Sequence, residues 1–517
     1  MRFRSNLKAF IKARHIVLII TIVCWILSLA GGFQLLSKYK DIAFQSSYSY
    51  SISETGQRLA IIAAIFISLM IIYWFVSFMY KVVTDDESSE RHIFILAIPV
   101  LVILLVYLIT DVASVEQIVD YYSGDERNIW TSAVRRYPFI FVYSGELCLI
   151  CFMILPTLLA PSIVKIIFCS YAFGYVIYRV RKYYKSQYAY IIYLFLFLLK
   201  PVMEYGIRIH RMQWYGVLYV LIMIKLFFDY KDGALRSEGL DNIRLTRLKT
   251  VVIVTIGISI LTIWRREGIY LLVFGLIYVI LAYWGDSKDK RKDLFRLVCI
   301  FCISEFIICI PEIAYEMTRT DSLSDGNIVY NAYLVHMLDM EQFDREKCAE
   351  ELQIIDQYMS IEQIDKYNTD CDAEAYADSY WQWSNWKDGQ YYVIRNENWS
   401  AEAQEVIKEE VVKLVKKQPV VFLLSRIKAF VRAGNNWNTY NLFVPLAILI
   451  TLMLIYLIRR EWFGFLLALG VMGHTIITTV LMPVSYFKYF YEMYLFAWIF
   501  GAIELVRFLA TEHIEKT

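Results

Sequence analysis

Histidine is scarce in this sequence, with six in 517 positions. His92, His336 and His474 stand alone, without the His/Cys spacing of a zinc site, and they read as structural residues. Only His474 comes near to being a buried spanning-helix histidine, and it has no evident partner in the sequence. Acyl transfer through such a group is therefore the least supported chemistry. Cysteine is also sparse, at nine. Seven (Cys24, Cys148, Cys151, Cys169, Cys299, Cys302, Cys309) lie in apolar or interfacial runs as small apolar fillers. Cys348 and Cys371 lie in polar sequence and either pair in an oxidising compartment or remain thiols. There is no internal repeat and no low-complexity linker. No basic face with spaced aromatics occurs, which excludes a nucleic-acid partner. Apolar residues do not alternate along the chain, which excludes a membrane β-barrel. No small-residue cleavage site follows the first apolar run, so that run reads as a spanning helix rather than a signal peptide.

What the chain has in abundance is apolar residues: 58% are hydrophobic and the mean hydropathy is +0.46. Runs of about 17–22 mostly apolar residues recur, each sufficient for one membrane helix. The expected fold class is an all-α polytopic membrane protein with about twelve spans. They cover 16–36, 58–80, 92–110, 158–179, 188–203, 214–229, 249–265, 268–284, 297–314, 440–458, 462–481 and 490–508. Four linkers are basic: Arg179 to Lys185, Arg236 to Lys249, Lys288 to Arg296, and Arg459/Arg460. Alternating helices put all four on the side of the N-terminus, which the positive-inside rule makes cytoplasmic. Both termini then face the cytoplasm of a cell membrane, and the absence of eukaryotic sorting signals points to a bacterium. The run Tyr137 to Leu158 would reverse every later loop if it crossed, so 138–157 reads as an interfacial helix.

Three parts follow: an N-terminal membrane domain over 1–314, a mostly helical extracytoplasmic region over 315–438, and C-terminal membrane helices over 439–517. Helical patterns are expected near 340–365 and 401–416. The stretch Val420 to Val431 is amphipathic and is expected on the membrane surface.

The informative charges are those on the outer side, where cations should be few. Asp111 closes an apolar run and opens the loop 111–138, which carries Glu116, Asp120, Asp125, Arg135, Arg136, Tyr137 and Pro138. A second outer turn holds Glu204, Arg208, His210 and Arg211; a third holds Arg265, Arg266 and Glu267; a fourth holds Lys488 and Tyr489. Charges at membrane depth are costly and are retained for a partner or a substrate. Any one of these arginines is as readily explained by snorkelling or by a neighbouring acid, as Arg265 or Arg266 with Glu267. Four turns together suit an anionic, phosphate-bearing lipid headgroup. Glu305 and Lys165, inside apolar runs, read as buried structural pairings.

An acid closing an early helix, an outer loop ending in an aromatic–Pro element and a late external region resemble the GT-C glycosyltransferase superfamily. The likeness is to bacterial dolichyl-phosphate-mannose-type mannosyltransferases or to uncharacterised GT-C-like groups. Asp111 matches the acid, and Tyr137-Pro138 stands where that superfamily has His-Pro. The Arg266-Glu267-Gly268 turn and Lys488-Tyr489 look like its later Arg-x-Gly and Arg-Tyr elements. The resemblance implies inverting transfer of a sugar from a polyprenyl-phosphate carrier to a glycan, lipid or protein acceptor at the outer face. Asp111 would be the general base, with Glu116 or Asp120 as second choice. The phosphate ligands would come from Arg136, Arg208, Arg211, Arg265, Arg266 and Lys488, with Arg135 beside them in the substrate-binding set. Glu204, His210 and Glu267 would complete the binding set, and Tyr137 and Tyr489 would stack on sugar. Whether a divalent cation assists stays open, with Asp111, Asp120 and Asp125 as the acids available. Two other readings remain: a polysaccharide polymerase or ligase, and a flippase of lipid-linked glycans. The second is disfavoured at this stage by the absence of recognisable broken helices or inverted halves.

Overall fold

Long apolar runs become long helices because a bilayer offers no partner for an open backbone amide. The computed structural model describes residues 2–38, 54–111, 129–130, 133, 142–208, 211–232, 243–284, 290–318, 325–371, 385–387, 390–392, 394–435, 440–482 and 485–516. Two compact units emerge, Met1–Thr320 with Trp498–Thr517, and Asp321–Ala497.

The first unit begins with α1 (Arg2–Lys38), α2 (Glu54–Thr84) and α3 (Ser89–Asp111). Next come α4 (Val142–Ile154) and α5 (Ala160–Tyr184). Beyond them lie α6 (Ile191–Leu198), α7 (Lys200–Ile207), α8 (Arg211–Lys231), α9 (Ile243–Trp264), α10 (Leu271–Tyr283) and α11 (Lys290–Thr318). Small residues let these helices approach closely, as they do in membranes generally. A Cβ on Gly32 of α1 would sit 2.7 Å from the Phe152 carbonyl of α4, and one on Gly174 of α5 would sit 2.7 Å from the Ile93 carbonyl of α3. Trp25 donates from α1 to the Ile65 carbonyl and the Ser68 hydroxyl of α2, both at 3.2 Å. The run from Cys148 to Met153 in α4 is buried throughout.

The second unit opens with α12 (Asp325–Leu338), α13 (Ala349–Asp356) and α14 (Ile361–Cys371). An antiparallel hairpin of β1 (Asn385–Lys387) and β2 (Gln390–Tyr392) pairs Trp386 with Tyr391. Then come α15 (Ala401–Lys417), α16 (Pro419–Asn435), α17 (Phe443–Ile458), α18 (Trp462–Leu481) and the first turns of α19 (Tyr491–Lys516), whose remainder belongs to the first unit. Leu334, Val335 and Met337 of α12 meet Ile355 of α13, Ile364 and Tyr367 of α14, and Ile407, Val411 and Leu414 of α15 in one core. Ser400 caps α15 by accepting from the Ala403 amide at 3.1 Å, and Asn331 and Gln404 exchange hydrogen bonds at 3.1 and 2.8 Å. Cys348 is a buried free thiol beside the Gln418 amide, 3.0 Å away.

The expected all-α class holds, the small hairpin aside, and among the described residues six helices are long and apolar enough to cross a bilayer, which marks a membrane protein. Twelve crossings are not established. The six are Arg14–Lys38, Ile61–Thr84, Ser89–Thr110, Ala160–Tyr184, Trp462–Leu481 and Phe487–Thr511. A seventh is counted if Gln187–Leu198 and Lys200–Ile207, bent by 73°, form one span. The other expected runs are helical but short, as Leu248–Trp264, Glu267–Tyr283 and Phe443–Ile458 are, or carry charge. Lys225 and Asp229 interrupt α8, and Asp293, Arg296 and Glu305 interrupt α11. The 73° bend also corrects the expectation that no helix is broken. Pro201 sits in the first turn of α7, behind an extended Leu199, and a continuous helix would need the amide proton that proline lacks.

Candidate functional site

The two ends of the first bundle are fixed by polar contacts. At one end Arg179 of α5 donates to Asp229 and Asp232 at the close of α8, at 3.3 and 2.8 Å. Tyr283, the last residue of α10, donates to Asp229 at 2.8 Å. These three helix C-termini therefore lie together, and the N-terminal ends of α5, α8 and α10 lie at the opposite end.

That opposite end holds the second and third expected turns. Lys165 of α5 is buried and donates to the carbonyls of Tyr205 and Arg208 and to the Gln213 side chain, the last two at 2.6 Å. An ammonium has three protons to give, and these three acceptors all belong to the turn from α7 to α8. Lys165 is thus a buried structural residue, as expected, and its task is to hold Arg208. Glu204 pairs with Lys200, one turn back, at 3.4 Å.

The third turn is built differently. Arg265, only 3% exposed, donates to Glu267 at 2.9 Å, and its guanidinium lies 5.2 Å from the ring centre of Tyr215 in the first turns of α8. Tyr219 and Tyr270 share a hydrogen bond of 2.6 Å beside it. Gly268 is obligatory there, because a Cβ would meet the carbonyls of Leu261 and Thr262. The Arg265–Glu267 pairing foreseen for this turn is present. It lies at the same end of α8 as Gln213, and hence as the Arg208 turn.

The register of α3 brings its C-terminus to the same end. Tyr193 of α6 donates to the Leu96 carbonyl at 2.5 Å, while Gly206, near the end of α7, faces Leu104, whose side chain lies 2.9 Å from a Cβ position there. Moving up α6 and α7 towards Arg208 is therefore moving up α3 towards Asp111. Asp111 closes α3 roughly 10 Å beyond Leu104 at the helical rise. Its helix end is placed, while its side chain and those of Arg211 and Arg266 lie outside the described residues, as do Glu116, Asp120, Arg135, Arg136, Tyr137 and His210. Among the described residues no group of three or more His, Cys, Asp or Glu is disposed to hold a metal.

No family model matches this chain, and neither a curated protein nor a solved structure is similar to it. The chemistry must be read from its own residues.

The fourth turn lies in the second unit. Phe487–Phe490 forms a 3-10 turn before α19. Lys488 lies over the rings of Tyr486 and Tyr489, at 4.9 and 5.6 Å, and the two rings stack at 6.4 Å. Sequence reasoning missed the pair next to it. His474 of α18 and Glu492 of α19 meet at 3.1 Å, each only 1% exposed. The signal available was Glu492 four residues after Lys488, but nothing in the spacing linked it to a histidine on the preceding helix. A second omission is Arg426 of α16. It is fully buried and donates to the carbonyls of Thr479 and Met482, at 3.1 and 2.7 Å, and to His336 Nδ1 at 2.9 Å. It caps the end of α18, where four carbonyls have no partner within the helix.

Proposed function

We propose that the protein is a membrane glycosyltransferase that moves a sugar from a polyprenyl-phosphate carrier to an acceptor at the outer membrane face. One observation supports this reading above the others. Within the first unit, the end of α3 at Asp111, the Arg208 turn and the Arg265–Glu267 turn occupy one end of a single helix bundle. A carboxylate and several cations at one membrane boundary are what transfer from a lipid phosphate requires.

In this reading the acceptor hydroxyl gives its proton to Asp111 while its oxygen attacks the anomeric carbon. The bond from that carbon to the phosphate oxygen breaks, and its electron pair leaves with the lipid phosphate. Inversion needs no carboxylate nucleophile. Negative charge grows on the departing phosphate, and preorganised cations lower that barrier. Arg208 and Arg211 are the proposed ligands in the Lys165-held turn, and Arg266 in the next. Arg265, buried against Glu267, shapes the turn that presents Arg266. Arginine's planar fork matches phosphate better than lysine does.

A second reading is favoured by one specific feature. The 73° break between α6 and α7, with Lys200 at its start, is the kind of interrupted helix on which transporters build substrate sites, so a flippase of lipid-linked glycans stands as the alternative. Membranes containing the protein, incubated with a panel of labelled polyprenyl-phosphate sugars, separate the two. Label moving to an acceptor from one of them supports transfer. Sugar-lipid that crosses the bilayer unchanged overturns transfer in favour of the flippase.

A further inference from the structure

Helix α16 has the inverse of a water-facing arrangement. Its serine and an arginine are inside: Ser425 is fully buried and Arg426 is 1% exposed, together with Val421, Ala429 and Ala433. The face it turns outward is apolar, with Val420 66% exposed, Leu423 54%, Leu424 38% and Ile427 57%. The spacing i, i+3, i+4, i+7 makes these four one stripe, roughly 10 Å long at the helical rise. Lys428 is turned aside into an ion pair with Asp339 at 2.6 Å. Neighbouring α15 behaves oppositely and exposes Glu402, Glu405 and Glu409. A stripe of this kind left against water would be a liability; it marks an interaction surface.

What covers it follows from where α16 is held. Arg426 grips the Thr479 and Met482 carbonyls at the end of α18, a helix long and apolar enough to span the bilayer. α16 therefore sits at the depth where a membrane helix ends. Exposed apolar side chains also occur on that helix at Ile476 and Leu481 and at the start of α17 at Phe443 and Val444, and the Phe443 ring packs on Phe430 of α16 at 6.3 Å.

We propose that α16 is an in-plane membrane helix whose Val420, Leu423, Leu424 and Ile427 side chains dip into the acyl chains of the leaflet at the Met482 end of α18. Arg426 sets its depth. The occupant is lipid, not a second copy of the chain. This reading stands whichever substrate the other unit takes.

The test uses full-length protein in phosphatidylethanolamine and phosphatidylglycerol vesicles, with the photoreactive residue benzoylphenylalanine placed at position 424. The same residue at 409, on the exposed face of α15, serves as the water-facing control. After irradiation, intact mass spectrometry is expected to show phospholipid adducts at 424 and none at 409. A crosslinked dimer from position 424 would assign the stripe to a second copy. Equal lipid labelling at both positions, or none at 424, would also overturn the proposal.

Discussion

An ammonium inside an apolar helix face must place three protons, and Lys165 places them on two backbone carbonyls and an amide oxygen forty or more residues away in sequence. Methionine at this position would keep the volume and take the donor from one buried acceptor and two part-buried ones, at about 1–3 kcal/mol for a buried group and less for the others. Lys165→Met is therefore expected to lower stability by about 1–3 kcal/mol or more, read as an earlier melting transition of detergent-solubilised protein. An unchanged transition would show that Lys165 does not hold the Arg208 turn. Gly268 makes a steric demand instead. Alanine there would drive a methyl group into the Leu261 and Thr262 carbonyls, and Gly268→Ala is expected to cost about 1–3 kcal/mol by overpacking. In the same melting assay, a Gly268→Ala protein as stable as the parent would contradict the close turn. The lysine stood out in the sequence as a cation in an apolar run. Its partners did not, because main-chain carbonyls leave no trace in a pattern of side chains.

Among the elements, the joint between α12, α16 and α18 has a pH dependence that follows from donors and acceptors alone. Arginine only donates, so His336 Nδ1 must accept from Arg426, and the ring is neutral in the folded protein. Burial, then the cations Arg426 and Lys428, hold its pKa well below the usual histidine value. Asp339 faces Lys428, Lys408 of α15 lies towards Tyr330 of α12, and Asn368 of α14 and Gln404 of α15 meet α12 as neutral groups. The unfolded chain gains a proton as pH falls through about 6.5, and the folded chain does not. The stability of this joint therefore decreases below that pH, by up to about 1.4 kcal/mol per pH unit. Denaturant midpoints measured between neutrality and about pH 5 are expected to fall, and His336→Gln is expected to flatten the dependence. An equal slope in the variant would assign the effect elsewhere. The amphipathic period of 420–431 was legible beforehand, since spacing tells which residues share a face. Which face is buried depends on α12 and α18, and Arg426 inside with leucines outside was not legible.

For the whole molecule, the helical class and the positions of the apolar runs could be read directly, because a bilayer imposes both length and composition on a span. The number of crossings could not. Whether a short or charged helix such as α9, α8 or α11 crosses depends on how its neighbours shield it. Glu305, for instance, accepts from Thr262 of α9 at 3.2 Å. The broken α6–α7 segment was also hidden, although Pro201 was in plain view. The Arg208 turn, the Arg265–Glu267 turn and the end of α3 share one end of the first unit's bundle, a neighbourhood set by helix packing that no spacing in the sequence records. The most direct test is transfer of labelled sugar from polyprenyl phosphate in proteoliposomes, with the parent protein and Asp111→Asn compared at equal amounts and matched melting transitions. Removing a general base is expected to cost about 100-fold or more in rate. Transfer by Asp111→Asn at the parent rate would contradict the assignment of Asp111 and, with it, the proposed site.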